Sequence, residues 1–308
     1  MHGTRDQVAA GDRRWLAAAL AAIAAFMVGE VIAGLAAHSL ALLTDAAHML
    51  TDAVALVVAL VSSVIAQRPA RGAYTYGFAR VDALSGQANG ITLLLLAVWF
   101  EVVAIQHLVH PGWVRGGVVT VVALVGAAVN VVALLLARRA DRQSLTVRGA
   151  VAHLVTDAWA FAATFVAGIV LVSTGWQRAD AVASLLIGLL MLWTGAGLIR
   201  AAGRVFLEAA PSGIDPAALG MHLARTDGVA ELHDLHVWQI GPTETALSAH
   251  VLVRPPHDCH EVSDRMRRML ADRYGIGHVT LQADHAGMPT HDAGNCEDAH
   301  GEVHISGY

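Results

Sequence analysis

Two short patterns carry the chemistry of this sequence. His48 and Asp52 stand four residues apart in one apolar stretch, and His153 and Asp157 repeat that spacing in another. Four residues along an α-helix turn about 400° and rise about 6 Å, so each pair projects from one face. Two such helices set face to face offer two imidazole nitrogens and two carboxylates. That is a tetrahedral N2O2 donor set, suited to Zn2+. Each His could instead bond only to its own i+4 Asp as a structural pairing. Two such pairs in membrane-length helices would be costly without a use. Asp45 lies three residues before His48 and shares its stripe, as an outer partner, a relay carboxylate or a packing group. With four ligands already present, direct ligation is not expected of it.

The same donors titrate. Zn2+ needs neutral imidazole and ionised carboxylate, so metal and protons compete for the four side chains. His48 and His153 titrate nearest physiological pH and are the natural proton carriers. Metal binding from one side, helix rocking and displacement by protons from the other side together make an antiport cycle. Further polar groups at membrane depth are Glu30, Asn89 and Asn130, read as interhelical hydrogen-bonding groups, with Glu30 also a proton-path candidate.

These pairs must be held by spanning helices. Of the 308 residues 56% are hydrophobic and only 15% charged, against roughly 25% charged in soluble domains. Six stretches reach the roughly 20 apolar residues a span needs, at about 15–37, 40–66, 83–109, 118–137, 150–174 and 179–201. The first is too long for a signal-peptide core and has no cleavage site. Arginines then set the orientation. Arg5, Arg13, Arg14, Arg68, Arg71, Arg80, Arg138, Arg139, Arg142, Arg148, Arg200 and Arg204 fall on one side, and Arg115 and Arg178 on the other. That bias puts both termini in the cytoplasm.

Pro211 and Gly213 mark a hinge into a polar part read as helix, strand, turn, strand, helix, strand. This αββαβ order predicts a small two-layer α+β domain. The divisions are 1–14 as an N-terminal cytoplasmic segment, 15–206 as the membrane domain, 207–286 as the cytoplasmic domain and 287–308 as a mobile tail. Eleven of the 17 histidines lie from His222 to His304, a density that suggests metal binding. Cys259 and Cys296 cannot form a disulfide framework. A net charge of −5 gives no sign of nucleic-acid binding.

At these residues the sequence resembles the cation diffusion facilitator family of metal/proton antiporters. The likeness runs through Gly29-Glu30, Ser39 to Asp52, Tyr76 to Arg80, His153 to Asp157 and His233-Asp-Leu-His236-Val-Trp238. It implies a homodimer in the lipid bilayer whose membrane halves alternate between inward- and outward-facing states, with protons as counter-ion. The cytoplasmic domains, metallochaperone-like and ferredoxin-like in fold, would bind metal and hold the dimer together. His-Asp on span two with His-Asp on span five looks like the zinc-preferring arrangement. Asp in place of His48 goes with cadmium, and Asn at one of these positions with manganese. Cd2+, Co2+, Fe2+ and Ni2+ could share an N2O2 site.

The resemblance also implies cytoplasmic ligands. His233 and His250 match family positions, as does Asp284, and His260 falls near a third. Where relatives carry His-x-Asp, this chain has Gln282-Ala-Asp284-His285, and Gln is a poor zinc ligand. The fourth ligand is then His285, His260 or Cys259. His257-Asp-Cys259-His260 is similar to a bridging segment of some relatives, or is a solvated loop. His291, Cys296, His300 and His304 could add tail ligands. Residues 67–78, between spans two and three, hold no metal ligand, so no site is expected there. Arg80 and Glu208 match positions where relatives place an ion pair between the membrane and cytoplasmic halves.

Two other function classes fit parts of this pattern. A metal-dependent intramembrane hydrolase needs an open coordination position, which a four-ligand set does not leave. A metal-sensing membrane protein would tolerate loss of the four span ligands. The balance points to a transporter rather than an enzyme, in a bacterial inner membrane.

Overall fold

The computed structural model describes residues 24–137, 145–241, 244–286 and 302–305. At 55, 56, 59, 60, 63, 136, 137 and 145–154 it describes the backbone alone. Six helices come first: α1 (Ala24–Ala37), α2 (Leu40–Ala66), α3 (Val81–Val109), α4 (Gly116–Ala137), α5 (Leu145–Thr174) and α6 (Arg178–Phe206). Among the described residues four of them, α3 to α6, are long and apolar enough to cross a membrane. Then follow α7 (Pro216–Ala224), β1 (Val229–Gln239), β2 (Thr245–Val253), α8 (Cys259–Tyr274), β3 (His278–His285) and β4 (His304–Ile305). The chain forms two compact units, Met1–Val58 with Ala88–Leu198, and Ala59–Gln87 with Ile199–Tyr308.

The first unit is built for lipid. Many of its large apolar side chains point outward: Trp99, Trp159 and Trp193 are each about two-thirds exposed or more. Its interior buries, beside apolar side chains such as Leu93 and Met191, the polar Glu30, Ser39, Thr44, Asp45, His48, Asn130, Asp157 and Asp180. Backbone groups are satisfied inside each helix, which leaves side chains to decide what faces hydrocarbon. Small residues let the helices close up. A Cβ at Gly126 would fall 2.4 Å from the Phe161 ring, and one at Gly168 2.5 Å from Thr120 Oγ1. Glycine at these positions is what lets α4 and α5 meet along a shared face.

The second unit holds a four-stranded sheet in the order β3-β2-β1-β4. β1 pairs antiparallel with β2 and β4, while β2 and β3 run parallel. A parallel pair needs a crossover, and α8 supplies it. Asp215 caps α7 by accepting from the Ala217 N–H at 3.1 Å, and Asp258 caps α8 from His260 N–H at 2.7 Å. Gly275, at φ 67°, ends α8 in the left-handed region. Alternation along the strands sends Leu247, Ala249, Val251 and Val253 into a core with Leu219, Leu223, Val262, Met266 and Leu270 of the helices. Ser248, His250 and Leu252 therefore stand on the open face.

The α+β expectation holds in element order, and β4 extends it. The tail, read from its low apolar content as mobile, contributes His304 and Ile305 as a fourth strand on the β1 edge. His304 is buried against α7, where Gly220 leaves room for its ring.

Candidate metal centre

The centre grows from α2. His48 is 1% exposed. Its Nδ1 lies 3.2 Å from Asp52 Oδ2 one turn on, and its Nε2 lies 4.0 Å from Asp157 Oδ1 on α5. One ligand atom from each of these three residues falls within 4.8 Å of the others. No other His, Cys, Asp or Glu group of three does so among the described residues. His153 sits on α5 one turn before Asp157, and its side chain lies outside the described residues. Beside Asp157 a cavity of about 10 Å3 is bounded by Phe26, Met49, Gly126, Asn130 and Phe161, room for one water at most.

Asp45 is 2% exposed and Glu30 1%. They are electrostatic neighbours, and Asp45 also feels Asp52 and Asp157. Asp45 is not among the three residues whose donor atoms fall together. Acids gathered round one imidazole at membrane depth favour a cation or protons among them. The cluster is thus a place for a metal ion or for protons, and not for neither.

On the open face of the sheet, His233 and His250 are register partners with ring centroids 5.4 Å apart. Gln282 pairs with His250, and its Nε2 donates to Asp284 Oδ2 at 3.1 Å. Asp284 is thereby tied to the residue that replaces the expected His. His285 ends β3 with Nε2 3.6 Å from Cys259 Sγ. Burial, with Asp258 and Asp284 nearby, pushes the Cys259 thiol above its ordinary pKa. His260 lies in the first turn of α8 and is exposed. His291, Cys296 and His300 lie outside the described residues, and His304 packs under α7 instead.

Two residues of this face entered the sequence reading only as part of the family motif and not as site residues. Asp234 Oδ1 lies 3.0 Å from His236 Nε2, and its Oδ2 lies 3.8 Å from His250 Nε2. Asp234 takes φ 52° and, with Leu235, opposes Ala249 in a bulge. Regular alternation would send His236 to the opposite face from His233, and the bulge returns it to the same one.

Arg80 Nη2 lies 2.7 Å from Glu208 Oε1, both residues belonging to the second unit. Glu208 takes φ 55° just after α6. The pair is half-exposed, at 37% and 59% of the side chains.

Comparison with known proteins decides what kind of molecule this is. Residues 16–207 match the cation efflux transmembrane domain, and residues 211–286 match the cytoplasmic domain of cation efflux proteins. The chain belongs to the cation efflux family. It is thus a membrane transporter and not an enzyme, with a helical transmembrane domain followed by a cytoplasmic α+β domain. Relatives span nearly the whole chain. The cation efflux system protein CzcD of Alcaligenes sp. (strain CT14) is 34% identical, covering 92% of this chain and 90% of its own. The zinc transporter ZitB of Escherichia coli (strain K12) is 33% identical over 96% and 93%. A cadmium, cobalt and zinc/H(+)-K(+) antiporter of Bacillus velezensis is 33% identical over 86% of each.

Proposed function

We propose that this cation efflux protein exports Zn2+ from the cytoplasm in exchange for protons, with His48, Asp52, His153 and Asp157 as the transport ligands. The observation that carries this reading is the cluster of His48, Asp52 and Asp157, whose donor atoms lie within 4.8 Å of one another in the membrane unit. His153 completes a set of two nitrogens and two oxygens, four donors for a tetrahedral ion. Zinc in the name of the ZitB relative, and zinc with cadmium and cobalt in that of the Bacillus antiporter, support a divalent cargo centred on zinc. Cd2+ and Co2+ fit the same donors, as do Fe2+ and Ni2+.

The cycle follows from competition. Cytoplasmic metal binds the deprotonated ligands, the helices rock, and protons from the far side displace the ion. Asp45 serves the site as an outer partner or relay. The protein works as a homodimer in a bacterial inner membrane, with both termini cytoplasmic as the arginine distribution requires. The membrane domain covers 15–206 and the cytoplasmic domain 207–286. His233, His250 and Asp284, with His285, His260 or Cys259 as the fourth ligand, form the regulatory metal site. Arg80 and Glu208 steady the connection after α6.

The test is zinc uptake into proteoliposomes under an imposed pH gradient. Accumulation should follow the gradient and disappear in Asp52→Ala and Asp157→Ala. Uptake that ignores the gradient removes the antiport, and variants that still transport move the metal path elsewhere.

A further inference from the structure

α2 carries two of the proposed ligands, and its beginning is held in an unusual way. The first turn of any helix has N–H groups without intrahelical partners. Here Ser39 is the cap, its Oγ accepting from the Leu42 N–H at 3.2 Å. The two amides between them go to another helix. Leu40 N–H donates to Asp180 Oδ2 at 2.6 Å, and Ala41 N–H donates to the same oxygen at 3.3 Å. The Ser39 hydroxyl donates to Asp180 Oδ1. Asp180 is 1% exposed and lies in the first turn of α6, so its carboxylate meets the positive ends of two helices at once.

A second contact repeats one turn further along both helices. Thr44 Oγ1 and Ser184 Oγ are 2.7 Å apart. Thr44 donates its only hydroxyl proton to Leu40 O at 2.8 Å, so Ser184 is the donor to Thr44. Ala41 and Leu42 of α2 pack with Ala179 and Ala183 of α6 between these polar contacts. α6 supplies none of the four proposed ligands, yet it grips the helix that supplies His48 and Asp52.

We propose that Asp180 is the positioning residue of the transport site, fixing α2 by its N-terminal amides so that His48 and Asp52 meet Asp157 on α5. His48 lies eight residues beyond Leu40, about 12 Å along the helix axis. A rigid helix transmits a shift at its start undiminished over that distance, and a ligand displaced by 1 Å leaves the coordination sphere. Held by three donors, α2 presents its ligands already in place. Released, it must be ordered by the metal itself, and that ordering is paid out of affinity. The loss should therefore appear in KM for zinc and not in the maximal rate.

This rests on the His48 and Asp52 reading above, and the experiment separates the two. Asp180→Ala and Asp180→Asn are compared with the native full-length protein in proteoliposomes, with amide hydrogen exchange followed at Leu40 to Leu42. Asp180→Ala should raise KM for Zn2+ about tenfold, the usual size of a lost charged cap, with the maximal rate per reconstituted protein within about twofold. Asp180→Asn should fall between, since an amide oxygen still accepts the N–H groups but carries no charge. Exchange at Leu40 to Leu42 should quicken in both. A native KM alongside quickened exchange overturns the proposal, as does a fall in maximal rate at constant KM. If Asp180→Ala does not fold, a native KM in Asp180→Asn overturns it alone. Failure of the ligand reading would show instead as undiminished transport in Asp52→Ala and Asp157→Ala.

Discussion

The Arg80–Glu208 pair allows a conformational role to be separated from a stabilising one. Its 2.7 Å separation would be worth about 1.5 kcal/mol in bulk water by Coulomb's law. Both side chains are more than a third exposed, so screening and the entropy of two long side chains cut that to at most ~1 kcal/mol. Arg80→Glu loses this attraction and adds a repulsion of similar size, a total near 2 kcal/mol, or about thirtyfold in a conformational equilibrium. Glu208→Arg should do the same from the other side. The double reversal restores the pair with its charges exchanged and should bring zinc transport back to within about threefold of native. The assay is initial zinc uptake in proteoliposomes for all four proteins, with thermal stability measured in parallel. The reversals should shift the melting temperature little and transport much. Raising salt toward 1 M should narrow the differences, since the screening length falls to about 3 Å. Additive defects in the double reversal would refute the pairing as a functional contact.

Zinc in the membrane centre should draw α2 and α5 together. Two donors about 2.1 Å from a tetrahedral ion stand about 3.4 Å apart, so the 4.0 Å between His48 Nε2 and Asp157 Oδ1 must close. X-ray absorption on zinc-loaded protein lacking His233, His250 and Cys259 should show four N/O neighbours near 2.0–2.1 Å. Sulfur or six-coordination would contradict the site. Gly220→Ala would place a Cβ 2.2 Å from His304 Nε2, so β4 should detach from β1. Hydrogen exchange should then quicken at the one of Glu231 and Leu232 whose N–H faces β4, while zinc transport persists, and unchanged protection at both would show that the strand does not depend on Gly220. The raised Cys259 thiol holds its proton at neutral pH, so alkylation should be slow at pH 7 and speed up above pH 9. Fast labelling at pH 7 would mean that the burial and carboxylates around it do not act as described.

The grouping of the candidate membrane ligands was legible because its information is local. Helical spacing alone puts His48 with Asp52 and His153 with Asp157, and charge in apolar sequence announces itself. Only the meeting of α2 with α5 needed the fold, and there the structure brings His48 to Asp157. The cytoplasmic face was less legible because its information lies in an exception to a local rule. Period-two alternation separates His233 from His236, and no residue between them is a glycine that would advertise a bulge. Asp234 takes the positive φ instead, a conformation Asp tolerates better than most side chains. Asp180 was harder still. A lone carboxylate at the start of a span reads as an ordinary first-turn acid, and nothing in sequence says that it serves a helix 140 residues away. The two cases differ in what evolution can vary. A ligand pair must be spelled out by residue type at fixed spacing, whereas a helix start can be held by any buried acceptor the fold delivers. The residues that hold a transport site in place should therefore be sought at the starts of its ligand-bearing helices, among buried acids on helices that carry no ligand.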